Sequence, residues 1–152
     1  MAIRLVLFLI LNFAALGLGS YFTSGAVTGE WYRGLNKAPW TPPGWFFGVA
    51  WTVIMICFAV FMAMAWERVA NRHVLIGLFA VQWVLNVMWN PVFFRNHQVL
   101  AGLVVISLLT LLMAFILTRY GATMKFWSFL VVPYVLWLAV ATSLNAYILI
   151  KN

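Results

Sequence analysis

The chain has 152 residues, of which 66% are hydrophobic and 7% charged, with a mean hydropathy of +1.05. A soluble domain of this length carries roughly a quarter charged residues, so the composition excludes one and points to an all-α integral membrane protein. The net charge of +7 comes from nine Lys and Arg scattered one or two per loop. That pattern suits membrane-flanking anchors and anionic headgroups, not a nucleic-acid surface.

A spanning helix needs about 20 apolar residues, and five segments qualify: 3–22, 46–66, 74–94, 99–118 and 126–150. They are too long and too uniformly apolar for the alternating strands of a barrel. The first, with Arg4 before an apolar run and then Ala14, Ala15 and Gly17, has the outline of a signal peptide. Its apolar stretch continues to Phe22, long enough to span. Ala15 and Gly19, four apart, permit close backbone approach to a second copy or to the second helix.

Residues 23–45 form a long connection that a plain solvated loop does not explain. From Glu30 to Trp51 it holds Trp31, Trp40, Trp45 and Trp51, stiffened by Pro39, Pro42 and Pro43. Such a segment packs on a lipid interface or on the mouth of a cavity. Pro42 and Pro43 limit its conformations, which favours a lid. Arg33 and Lys37 supply a polar rim that could meet ligand carboxylates.

The second span offers Trp51, Met55 and Phe58 on one face, with Cys57 read as a small buried hydrophobe. The third carries Gln82, Asn86 and Asn90 on one face, flanked by Trp83 and Trp89, and Pro91 perturbs its end. The fifth carries Tyr134, Trp137, Ala141 and Asn145 on one face, with room beside the small Ala141. Asn and Gln at bilayer depth hold helices together or line a cavity. Three helices with Trp beside small or polar residues, under an aromatic loop, favour a pocket for a flat apolar ligand.

The remaining connections, Glu67–His73, Arg95–Gln98 and Arg119–Lys125, are short, which makes the spans an up-down bundle of antiparallel neighbours. His73 and His97 fall on opposite sides of the membrane and cannot share a metal. No carboxylate lies within a span for a proton relay. The lone Cys57 forms no intrachain disulfide. No internal repeat is visible, which weighs against a transporter built on inverted halves.

Three stretches resemble the translocator protein family, also called the tryptophan-rich sensory protein or peripheral benzodiazepine receptor family. Trp31-Tyr32, Leu35, Lys37, Trp40 and Pro42-Pro43 resemble its first-loop W-Y-x-x-L-x-K-P-x-W-x-P-P. Gln82, Asn86, Trp89, Pro91 and Phe93-Phe94 resemble its Q-x-x-x-N-x-x-W-x-P-x-F-F. Pro133-Tyr134, Trp137, Ala141-Thr142 and Leu144-Asn145 resemble its P-Y-x-x-W-x-x-x-A-T-x-L-N. Ala38-Pro39 departs from the family's proline directly after lysine, shifting a rigid residue by one.

The resemblance implies a five-helix membrane receptor or sensor, often a homodimer. It implies no required cofactor and a pocket under the first loop for protoporphyrin IX, haem or isoquinoline and benzodiazepine ligands, and for sterol in animal members. Trp31, Tyr32, Trp40, Pro42, Trp51, Met55, Asn86, Trp89, Tyr134, Trp137 and Ala141 would line it. Trp51 and Trp137 would take part if the protein degrades porphyrin in light, the alternative to sensing; porphyrin or sterol transport is a third reading. Leu144, Tyr147 and Lys151 match a sterol-contact pattern of low specificity.

Overall fold

A computed structural model describes residues 1–152. The helices are α1 (Ala2–Ser24), α2 (Glu30–Gly34), α3 (Gly44–Arg68), α4 (Arg72–Asn90), α5 (Val99–Met124) and α6 (Val132–Lys151). A π-helical turn, Pro91–Arg95, continues α4, and a 3-10 segment, Lys125–Leu130, separates α5 from α6. The five long helices are each long and apolar enough to cross a membrane.

Two boundaries differ from the sequence expectation. α5 runs through Arg119 to Met124, where a loop was expected, because nothing before Lys125 breaks the helical pattern. The chain turns at Lys125, with φ of 50°. The residues expected to open the fifth span are the 3-10 segment, and α6 begins only at Val132, ahead of Pro133. A helix accepts proline in its first turn, where no N–H donor is required. The third span continues through Phe94 as expected, and its end is perturbed by Pro91. Lacking the donor for an ordinary bond, it opens a wider turn closed by Asn96 N–H donating to the Pro91 carbonyl at 2.9 Å.

The long helices form a ring in the order α1, α3, α6, α5, α4. α1 packs closely on α3 and α4, and α5 on α4 and α6. The short Glu67–His73 connection therefore does not make α3 and α4 close backbone neighbours, as sequence proximity suggested. α1 separates them at the perimeter, and they meet through Phe58 and Phe79, whose rings stack at 6.0 Å in the centre. α3 and α6 stand further apart, and aromatic rings fill the gap.

Ala15 and Gly19 are buried within the chain, so their close contact is intramolecular. On the Gly19 side that contact is with α4: a Cβ on Gly19 would come within 2.8 Å of Asn90 Nδ2. Asn90 uses that space to accept from Thr23 Oγ1 and to donate to the Asn86 carbonyl. Asn12 donates to the Met55 carbonyl and Trp83 Nε1 to the Leu11 carbonyl, fastening α1 from both sides.

Candidate functional site

The first loop is anchored at three points over one end of the bundle. α2 lays Trp31 and Tyr32 on the π turn. Trp31 stacks on His97 at 4.0 Å and meets Phe93 edge-on at 5.7 Å; Tyr32 meets Phe94 at 5.5 Å. The π turn brings the adjacent Phe93 and Phe94 both into the interior, giving α2 an aromatic seat. His97, with φ of 55°, turns the chain back toward α5.

The second anchor is Trp40. The Ala38 carbonyl accepts from the Thr41 backbone N–H and hydroxyl, so Ala38–Thr41 is a tight turn with Pro39 at its second position. Proline's fixed φ suits that position. The shifted proline thus starts the turn that sends Trp40 onto α6, where its Nε1 donates to Ser143 Oγ at 3.1 Å and its ring meets Tyr147 edge-on. The third anchor is the carboxyl terminus, where Asn36 and Asn152 exchange hydrogen bonds.

The two loop cations differ. Lys37 Nζ lies 4.7 Å from the Tyr32 ring centroid and reaches the Arg33 and Leu35 carbonyls, so it closes the end of α2. Arg33 is exposed and makes no hydrogen bond through its side chain. Burial raises the Tyr32 phenol above its ordinary value, keeping it neutral under the lysine.

Beneath the loop, the expected residues fall into two adjoining layers. In the lower one, Trp51 meets Tyr134 edge-on at 5.8 Å, and Trp137 is held between Phe46 and Phe47. Met55 and Tyr134 are fully buried, and Gln82 Nε2 donates to the Tyr134 hydroxyl at 2.8 Å. In the upper layer, Trp89 stacks on Phe93 at 5.7 Å. Asn145 comes to the same place: a Cβ on Gly102 would lie 3.1 Å from Phe93 and 3.5 Å from Asn145 Nδ2. Asn86 and Ala141 are buried on α4 and α6, and Pro42 is half-buried.

Several buried polar atoms here have no partner in the protein: Trp89 Nε1, Trp137 Nε1, Asn145 Oδ1 and Gln82 Oε1. In an apolar interior such atoms cost free energy unless paired. They comprise two donors and two acceptors. The sequence did not reveal Phe46, Phe47 and Gly102 as part of this region; they carry no polar mark. Trp31, Tyr32 and Trp40 cover it as its roof.

The sterol-pattern residues do not share one lipid-facing surface. Leu144 is buried inside the chain, Tyr147 is partly covered by Trp40, and Lys151 is exposed. Two clefts lie at the opposite end of the bundle, around Arg68 and Arg119. Under the loop, Trp51, Trp89 and Trp137 pack against neighbouring rings.

A family model of the TspO/MBR family matches residues 6–150. The tryptophan-rich protein TspO of Archaeoglobus fulgidus is 37% identical over 146 residues, covering 94% of this chain and 94% of that protein. Protein CrtK of Rhodobacter capsulatus is 35% identical over 136 residues, 84% of this chain and 79% of that protein. The human translocator protein is 31% identical over 135 residues, 84% of this chain and 80% of that protein. With five membrane-crossing helices and a match from the first to the last of them, the chain belongs to the TspO/MBR family of integral membrane sensors and translocators.

Proposed function

We propose that this protein is a membrane sensor that binds a flat amphiphilic tetrapyrrole, protoporphyrin IX or haem, between α3, α4 and α6 beneath the first loop. Isoquinoline and benzodiazepine-type ligands share the flat apolar shape and would compete for the same space. The observation that carries this reading is the sparse backbone contact between α3 and α6, bridged by aromatic rings beside unpartnered indole N–H and amide groups. Rings meeting edge-on can part around a planar ligand and regain stacking energy on its faces. The unpaired atoms gain polar partners as it enters, which offsets their present cost.

The loop then acts as the lid. Opening it breaks the Trp40–Ser143 and Asn36–Asn152 hydrogen bonds. Arg33, exposed and free of partners, meets a propionate at the water boundary.

Titration of protoporphyrin IX into purified protein tests the reading. Saturable quenching of tryptophan fluorescence is expected. Trp137→Phe and Asn145→Ala should each weaken binding about threefold to tenfold, the worth of one aromatic or hydrogen-bond contact. Absent or non-saturable quenching in folded protein, or unchanged affinity in both variants, contradicts the site. The same titration under illumination, followed at the porphyrin Soret band, separates sensing from light-dependent degradation. A sensor leaves the band intact, whereas a degrading enzyme bleaches it in a manner sensitive to Trp51→Phe or Trp137→Phe.

A further inference from the structure

The cleft of about 290 Å³ at the end opposite the first loop is lined by Arg68, Asn71, Arg119, Tyr120 and Thr123, with apolar Val69, Ala70 and Val74 beside them. Two guanidinium-bearing residues share it, one from the last position of α3 and one from the last two turns of α5. No carboxylate lines it. Glu67, the one acid at this end, is occupied by Arg4 at 2.9 Å and the terminal amine at 3.4 Å.

The cations keep donors to spare. Arg68 spends Nη1 on the Met64 carbonyl and rests over the Trp127 ring. Arg119 lies over the Tyr120 ring and makes no hydrogen bond through its guanidinium. A guanidinium carries five N–H donors in a fork matched to phosphate oxygens. Tyr120 is a second, independent sign. It lines the cleft while only 2% exposed, and its hydroxyl has no hydrogen-bond partner in the protein.

Depth identifies the source of the anion. α5 has 26 residues, about 39 Å at 1.5 Å per residue, against a hydrocarbon core of about 30 Å. Its last turns therefore reach the headgroup layer. Trp66 and Trp127 beside the cleft, and the exposed Phe126 and Phe129, mark the same boundary.

We propose that this cleft is a phosphate-binding site filled by the headgroup of an anionic phospholipid in the leaflet at this end. Arg68 and Arg119 hold the phosphate oxygens and Tyr120 donates its hydroxyl. The apolar wall of Val69, Ala70 and Val74 carries the start of the acyl chains. Free phosphate offers the same oxygens without those chains, so the two sources can be told apart.

Native mass spectrometry of the full chain in detergent, mixed with equal amounts of phosphatidylglycerol and phosphatidylcholine, tests this. Preferential retention of phosphatidylglycerol is expected, by about fivefold for each arginine engaged. Arg68→Gln and Arg119→Gln should each lose that share, Arg119→Lys should keep part of it, and Tyr120→Phe should reduce retention with the charge intact. Equal retention of the two lipids, or an unchanged preference in both glutamine variants, overturns the site. Inorganic phosphate that displaces phosphatidylglycerol at equal concentration, with no advantage from the acyl chains, would keep the phosphate chemistry and overturn the lipid as its source. Thermal unfolding of each variant separates loss of the site from loss of the fold.

Discussion

Gln82 and Tyr134 show how one buried pair is balanced at the bundle centre. The amide donates to the phenol, and neither is exposed. Removing one partner strands the other in an apolar interior, whereas removing both leaves nothing unpaired. Gln82→Leu and Tyr134→Phe should each destabilise the protein by about 1 kcal/mol, and the double variant by less than the sum. Unfolding in mixed micelles measures this, and strict additivity contradicts direct coupling. Gly19 is constrained for a different reason: a Cβ would come 2.8 Å from Asn90 Nδ2, and that amide gives way only by loosening its bonds with Thr23 and Asn86. Gly19→Ala should cost about 1–3 kcal/mol through overpacking. In the loop, Lys37 fastens backbone carbonyls while Arg33 is free. Arg33→Ala should weaken protoporphyrin IX and spare an uncharged aromatic ligand; Lys37→Ala should weaken both by loosening the lid. Equal effects of Arg33→Ala on the two ligands would remove the propionate contact.

At the scale of elements, the lid is held by docking rather than by its own regular structure. α2 spans five residues, too short to be stable alone, and exists because the π turn seats Trp31 and Tyr32. Truncating Asn152 or replacing Asn36 by alanine removes the terminal clasp and should speed protoporphyrin IX association; stopped-flow quenching measures it, and an unchanged rate denies the clasp a gating role. The spans and their polar faces were legible because burial and periodicity are written in residue type: Gln82, Asn86 and Asn145 are all buried. The contact of α1 with α4 was not. Glycine announces close approach without saying to what, and Gly19 turned out to face α4. A cysteine at Ala15, with Cys57 replaced, should therefore give no crosslinked dimer, because that face is already covered. The π turn at Pro91 was half visible: proline signals a lost donor, but only the packing of Phe93 and Phe94 decides that the chain widens instead of stopping.

For the whole molecule, the two ends of the bundle have different characters. One is roofed by an aromatic loop over tightly fitted rings with unpaired polar atoms. The other is an open, arginine-lined cleft at the headgroup layer. The aromatic composition of the roofed end was readable from the four tryptophans between Glu30 and Trp51 and their spacing. The sparse backbone contact between α3 and α6 was not, since it follows from how five helices close a ring. If tetrapyrrole binds at the roofed end and not in the arginine-lined cleft, hydrogen–deuterium exchange with and without protoporphyrin IX will show it. Ligand-dependent protection is expected across residues 30–47, with residues 68–73 and 119–130 unchanged. Protection confined to the latter segments would contradict it.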